Sequence, residues 1–197
     1  FDPGIGTYSL TSAGGTDAYL LRLNQDGVLR DAFRWGGTSN DVATSIAVRN
    51  GYVGIGGMYV GTVDFDPGPG TWWRTADTQS GYYLMMTSNH ALTYYMMRSF
   101  GSSTGTATVQ GLTFAGGFFP RLVGNYTGTV QFFSGPETEL TAQGAMDAWI
   151  AGLDSGGGFE WVRGLGGASG QVWPPFIAGH AASSTVLVGV EFQGTVD

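Results

Sequence analysis

The chain has 197 residues and a net charge of −7, and it contains no run of basic residues. Binding to nucleic acid or to an anionic membrane surface depends on clustered lysine and arginine, so the composition argues against both partners. Hydrophobic residues make up 42% of the chain and charged residues only 12%, which indicates a folded protein rather than a disordered one.

Glycine is the strongest outlier in the composition, with 35 residues. Glycine at more than twice the usual frequency of about 7%, without a collagen-like period, indicates many tight turns and therefore many short strands. Along the chain, AYLLRL at 18–23 and YYLMM at 82–86 are apolar runs too short for helices. Between them, Asn50-Gly51 separates two apolar runs and predicts a hairpin turn. The sequence therefore predicts an all-β fold.

An internal repeat organises the chain. The phrase GTVDFDPGPGT at 61–71 matches GTVQFFSGPET at 128–138, and GTVD returns at 194–197, which gives spacings of 67 and 66 residues. Cutting after each copy divides the chain into three repeats, 1–64, 65–131 and 132–197. Because each repeat holds four to five short strands, the pattern predicts three tandem antiparallel β-sheet units like the blades of a propeller.

The repeated phrases resemble a known family. The positions that carry the resemblance are Phe1-Asp2-Pro3-Gly4, Asp17-Ala18-Tyr19, Gly36-Gly37, Ile46-Ala47-Val48, Phe65-Asp66-Pro67-Gly68, Asp147-Ala148-Trp149 and Trp161. They resemble the FDPG-type repeats of bacterial secreted proteins, which are related to SBBP-type β-propeller repeats. The departures are FFSG at 132–135, Gly81 where the other copies have aspartate, and the poorly matched stretch 101–125. The resemblance implies export, an extracellular or cell-surface location and a β-sheet repeat fold, and it implies no reaction.

The two ends of the chain complete the internal phrase. The chain begins with Phe1-Asp2-Pro3-Gly4 and ends with Gly194-Thr195-Val196-Asp197, and joining the two rebuilds GTVDFDPG. Three blades are too few for a closed propeller, which usually has about four to eight, and neither end resembles a capping repeat. The sequence therefore predicts a segment uncapped at both ends, which meets copies of itself or continues in a longer covalent array at this junction.

The candidate catalytic and metal-binding residues form no complete site. Ser103 lies in GSSTG, but this stretch aligns with inter-strand turns rather than with the strand-to-helix elbow of a hydrolase. His90 and His180 lack the spacing of zinc ligands. Asp64 and Asp66 offer oxygens that calcium favours, yet their Asp-Pro-Gly context favours an Asx-type turn. We therefore expect no enzyme activity, no cofactor and no metal site.

A further group of residues is typical of binding or of modification. Five tryptophans offer aromatic surfaces to sugars, although aromatic side chains in β repeats more often fill the space between sheets: Trp72, Trp73, Trp149, Trp161 and Trp173. Asn125-Tyr126-Thr127 fits the N-glycosylation pattern. The leading hypothesis is an extracellular structural protein, a subunit or segment of a filament, sheath or surface fibre. The alternative is a segment of a secreted propeller that binds glycans or proteins on its loops.

Overall fold

The computed structural model describes residues 6–87, 93–133, 138–168, 170–180 and 182–196. These residues form an almost entirely β structure, which confirms the predicted fold class. The strands are β1 (Ala18–Leu23), β2 (Leu29–Trp35), β3 (Val42–Arg49), β4 (Tyr52–Asp64), β5 (Trp73–Thr87), β6 (Thr93–Phe100), β7 (Thr106–Ala115), β8 (Phe119–Thr127), β9 (Thr129–Gln131), β10 (Glu139–Thr141), β11 (Asp147–Leu153), β12 (Phe159–Leu165), β13 (Gln171–Gly179) and β14 (Val186–Gln193).

The strands pair into two large antiparallel sheets and three smaller pairs. The first large sheet has the order β3-β4-β5-β6, and the second large sheet has the order β12-β11-β8-β7. The first hairpin, β1–β2, and the last hairpin, β13–β14, are two-stranded, and β9 pairs with β10. Each large sheet therefore joins the closing hairpin of one sequence repeat to the opening hairpin of the next, so the boundaries at 64/65 and 131/132 fall between paired strands.

The opening hairpins share one register. The corresponding cross-strand pairs are Ala18–Trp35, Gly81–Phe100 and Ala148–Leu165, and each hairpin is bulged at the same distance from that pair. This register corrects the sequence alignment, in which Gly81 stood at the aspartate position. Gly81 takes the place of Ala18 and Ala148, so Ser80 lies where the other copies have Asp17 and Asp147. Sequence similarity in this degraded copy was too weak to fix the alignment to a single residue.

The sheets stack face to face in chain order. The first hairpin packs on the first large sheet through a cluster that includes Trp35, Ile55 and Tyr82. The two large sheets meet through β7, which packs against β3, β4 and β5, and a second cluster there includes Leu122 and Trp149. The last hairpin packs through β13 on β7 and β8. The fold is thus a four-layer stack with a two-stranded layer at either end.

Asp41 is a charged side chain buried at the start of β3. Its carboxylate accepts hydrogen bonds from the backbone N–H of Gly37 at 2.7 Å and of Val60 at 3.1 Å. Burial raises the pKa of this carboxyl above its ordinary value, although the two hydrogen bonds oppose the shift, and the neighbouring Asp17 adds to it.

We expect Asp41 to oppose folding increasingly as the pH rises through the acid range. Because the folded pKa is raised, the stabilising contribution of this group is fully present below the ordinary pKa of 3.8 and is lost as the pH rises through the folded pKa. Asp41→Asn removes the titration. Urea unfolding between about pH 3 and about pH 7 should show the stability of the native chain, relative to this variant, falling as the pH rises. A pH-independent difference would contradict the expectation.

Candidate assembly interface

The glycine of the phrase Gly-Thr-Val has a positive φ angle in all three places. The angles are +74° at Gly61, +60° at Gly128 and +84° at Gly194, in the left-handed region that favours glycine. The threonine carbonyl also closes on a glycine of the turn after an opening hairpin, since a Cβ on Gly37 would collide with the Thr62 oxygen. A Cβ on Gly167 would collide with the Thr195 oxygen in the same way. The predicted junction therefore matches the internal copies at its glycine and at its threonine carbonyl, although β14 ends at Gln193 whereas β4 and β9 include the threonine and the valine of the phrase.

In the two internal copies the phrase continues into a buried phenylalanine. Phe65 is fully buried, and its ring centroid lies 5.3 Å from that of Tyr59 and 5.0 Å from that of Tyr82. Phe132 is likewise buried, 5.1 Å from Trp149. Each phenylalanine contacts an aromatic ring of the opening hairpin that follows it. The phenylalanine that follows each internal phrase therefore packs between the closing hairpin of one repeat and the opening hairpin of the next.

Only part of the predicted junction can be placed. Phe1, Asp2, Pro3, Gly4 and Asp197 lie outside the described residues. Within them, Gly194 and Thr195 are exposed and Val196 is half-buried, whereas the internal counterparts of Val196, Val63 and Val130, are fully buried.

The first hairpin exposes apolar side chains at positions that the internal sheets bury. The shared register aligns Tyr19 with Tyr82 and Trp149. Tyr19 is 56% exposed, whereas both of its counterparts are 0% exposed. Leu23 is also exposed, and its counterpart Leu153 is fully buried. Within the described residues, the first hairpin is therefore less covered at these two positions than the equivalent hairpins inside the stack.

The last hairpin shows the same contrast on its other strand. In the closing hairpins, Val188 lies opposite Ile177 as Ile55 lies opposite Ile46. Phe192 lies four residues after Val188 and Tyr59 four residues after Ile55, so the two aromatic residues hold equivalent positions. Phe192 is 53% exposed and Tyr59 is 1% exposed. Tyr59 owes its burial to Phe65 and to the opening hairpin that follows, and β14 has no such neighbour in the described part of the chain.

Both ends of the stack also carry apolar side chains on their outward faces. Phe176 and Leu187 of the last hairpin are each 73% exposed. At the opposite end, Ile46 and Val48 of β3 are exposed on the side of the first hairpin. Exposed apolar side chains that cluster into a patch mark interaction sites in folded proteins, so these two faces are candidates for such sites.

The outer edges of β1 and β14 are available for further pairing. Inside the stack the equivalent edges are used, because β4 pairs with β5 and β8 pairs with β11. Among the described residues, β1 pairs only with β2 and β14 only with β13. An open strand edge presents unpaired N–H and C=O groups that template the addition of another strand.

A polar groove of about 510 Å³ lies beside the internal phrase, lined in part by Arg34, Asp64, Asp66 and Trp73. The Asp64 Oδ1 atom accepts the backbone N–H of Asp66 at 3.0 Å and of Trp72 at 2.6 Å, which is Asx-type turn bonding. The described ranges contain no group of three or more His, Asp or Glu side chains placed to hold a metal ion. Trp73 is exposed at this groove, and Trp72, which is also exposed, stacks on Tyr94.

Among the described residues, those that the sequence offered as candidate catalytic, metal-binding or sugar-binding side chains, other than Asp64, Asp66, Trp72, Trp73 and Trp149, do not contribute to this interface. Ser103 is exposed in the turn between β6 and β7. His180 is exposed after β13, and its Nδ1 atom accepts the backbone N–H of Ala182 at 3.3 Å. His90 lies outside the described residues. Trp173, on β13, is half-buried.

Asn125 is a buried structural residue of β8. Its Nδ2 atom donates to the backbone carbonyl of Val172 at 2.8 Å, and its backbone carbonyl accepts from the indole N–H of Trp149 at 3.2 Å. The side chain is buried, so a glycan on Nδ2 would fit only if β13 moved away from β8, and glycosylation of Asn125 stays a prediction. A three-residue pattern carries no information about burial, and sequence reasoning therefore missed this bridge between the second large sheet and β13.

The described residues include no helix long and apolar enough to cross a membrane. No protein-family model matches the chain, and no curated protein matches its sequence. The similarity to FDPG-type repeats therefore stays a prediction carried by the residues themselves.

Proposed function

We propose that this chain is a structural building block of an extracellular filament, sheath or fibre, and that copies join end to end through the first and last hairpins. The observation that carries the proposal is the exposure, at both ends of the stack, of side chains whose counterparts are buried inside it. Tyr19 against Trp149 and Phe192 against Tyr59 are the clearest cases. The internal sheets supply the shape of the missing cover, which is a hairpin of this same chain. The extracellular location rests on the resemblance stated above.

Covering these side chains supplies the driving force for association. Full burial of one large apolar side chain stabilises by about 1.5–3 kcal/mol. Association must offset a loss of translational and rotational freedom of about 4–15 kcal/mol, so several such side chains and a strand pairing have to act together. The two complementary surfaces lie at opposite ends of the stack. A head-to-tail contact of this kind generates open filaments when it does not close into a ring.

The test is the association state of the purified chain over a range of concentrations, by light scattering and electron microscopy. Leu187→Glu places a carboxylate on the outward face of the last hairpin, and burying it at a joint is unfavourable. We expect this variant to associate at least about tenfold more weakly than the native chain, equivalent to about 1.4 kcal/mol. The matched control is Trp73→Glu, which puts the same charge on an exposed apolar side chain of an inner layer and should leave association unchanged.

The groove beside Trp73 favours glycan binding as a second candidate function, because the exposed indole offers an apolar face and the nearby carboxylates and Arg34 offer hydrogen-bonding groups for hydroxyls. Under that function the native chain binds to immobilised polysaccharide, and the Trp73→Glu variant does not.

A folded chain that stays monomeric at every concentration would overturn the assembly proposal.

A further inference from the structure

The two internal joints use one rung of paired threonines. In β4–β5, Thr62 lies opposite Thr75, and in β9–β10, Thr129 lies opposite Thr141. The Oγ1 atoms of the two pairs are hydrogen-bonded at 2.9 Å and 3.0 Å. The threonine of each internal Gly-Thr-Val phrase is thus paired with a threonine that precedes the next opening hairpin in the chain.

The first repeat has a threonine, Thr11, at the position equivalent to Thr141 of the second rung. Thr11 lies six residues before Asp17, as Thr141 lies six residues before Asp147. Thr141 belongs to a strand, whereas residues 7–12 form no strand and Thr11 is exposed. Among the described residues β10 pairs with β9, and we expect residues 7–12 to form the equivalent strand when they pair with a second copy.

The last repeat carries the other half of such a rung. Thr195 follows Gly194, whose positive φ matches that of the internal glycines, and its side chain is exposed. Its backbone already closes on Gly167 as the backbone of Thr62 closes on Gly37. The positive φ at Gly194 and the position of the Thr195 carbonyl are therefore set before any partner arrives, although β14 itself ends at Gln193.

The strand register gives the same alignment independently. In β8–β11, Asn125 lies opposite Ala148. The hairpin registers place Glu191 at the position of Asn125 and Ala18 at the position of Ala148. Thr195 lies four residues after Glu191, as Thr129 lies four after Asn125. On the other side, the step from Thr11 to Ala18 and the step from Thr141 to Ala148 are both seven residues.

We propose that β14 of one copy pairs antiparallel with β1 of a second copy, with Thr195 opposite Thr11 and Glu191 opposite Ala18. The joint is then a complete four-stranded sheet of order β13-β14-β1-β2. This inference rests on the proposed self-assembly and adds to it the residues by which the partner is recognised. Across the joint, Tyr19 faces the second large sheet of the first copy, and Leu187 faces β3 of the second copy.

One position makes the joint different from the internal ones. Gly124 lies opposite Trp149, and a Cβ on Gly124 would lie 2.7 Å from the indole. The position of Gly124 is occupied by Val190 in β14, opposite Tyr19 in the proposed register. A β-branched residue beside an aromatic one is a favourable cross-strand pair, worth about 0.2–1 kcal/mol. In the proposed joint Val190 and Tyr19 therefore pack side by side, whereas in the second large sheet the Trp149 ring lies over Gly124.

The chain has no cysteine, so engineered cysteine pairs report the register without background. The test variant combines Thr11→Cys with Thr195→Cys, two exposed positions whose replacement costs no core packing. A disulfide needs Cβ atoms within about 4.5 Å, a condition that the paired threonines of the internal joints indicate for this rung. Under oxidising conditions we expect a ladder of covalent oligomers that a reductant collapses to monomer.

Two further variants complete the design. Ser9→Cys with Thr195→Cys shifts one thiol by two residues, about 7 Å along the strand, and should cross-link at least about tenfold more slowly. Thr62→Cys with Thr75→Cys forms an internal disulfide and verifies the oxidation conditions.

The outcomes separate the register from the assembly itself. If the chain associates but the 11–195 pair does not cross-link, or the 9–195 pair cross-links faster, the register is wrong and the proposed assembly stands. If the internal 62–75 disulfide forms while light scattering shows only monomer, both the assembly and the register fall.

Discussion

Replacing Trp149 by alanine is expected to lower the free energy of unfolding by about 3–5 kcal/mol. The indole is fully buried between the two large sheets, with its ring centroid 5.1 Å from those of Phe100 and Phe132. Its N–H donates to the carbonyl of Asn125. Removing the ring leaves a cavity that neighbouring strands cannot close and a buried carbonyl with one partner fewer. Urea unfolding at low protein concentration measures the loss.

Tyr19→Ala is the matched control, because Tyr19 holds the same register position in the first hairpin. Its side chain is largely exposed, so we expect the dilute chain to lose less than about 1 kcal/mol. The same variant should associate more weakly, since the proposed joint covers this ring. If Tyr19→Ala and Trp149→Ala lowered the stability of the dilute chain equally, the exposure of Tyr19 described above would be wrong.

Gly124→Val is expected to cost about 3 kcal/mol or more, at the upper end of overpacking effects. A side chain at this position would collide with the carbonyl oxygen of Thr108 and would also meet the Trp149 indole. The Thr108 oxygen belongs to the backbone of β7, so it cannot move without breaking the β7–β8 pairing. The midpoint and slope of urea unfolding check the prediction, and a variant that fails to fold agrees with it.

The matched control for Gly124→Val is the reverse change at the equivalent position of β14, Val190→Gly. Here the cost is only the greater backbone freedom of glycine and the loss of a half-buried side chain, about 1 kcal/mol. A Gly124→Val variant as stable as the native chain would mean that β8 and β11 are not paired in the register described above.

Local chemistry is the part of this fold that the sequence predicts well. The turn at Asn50-Gly51 forms as expected, with φ of +49° and +79°, because an Asn-Gly pair tolerates the left-handed conformation that a tight hairpin requires. The short apolar runs likewise form strands, since they are too short for a helix and lie in a chain dense in turns.

Non-local pairing is the part that the sequence does not predict. The alignment of Gly81 was off by one residue because only the partner strand, through Phe100, fixes the register. The burial of Asn125 depends on β13, nearly fifty residues later in the chain. The threonine rungs became apparent only once the strands were paired, since Thr62 and Thr75 are unremarkable in the sequence.

The sharing of each large sheet between two successive repeats has a consequence for how the chain responds to a cut. A protease that cleaves the backbone at the boundary 64/65 would sever the connection between β4 and β5, yet the two strands would remain hydrogen-bonded along most of their length. The fragments would stay together and leave a gel filtration column as one particle. Only a denaturant would reveal the break, because at each boundary the structure is held by its hydrogen bonds as well as by its covalent chain.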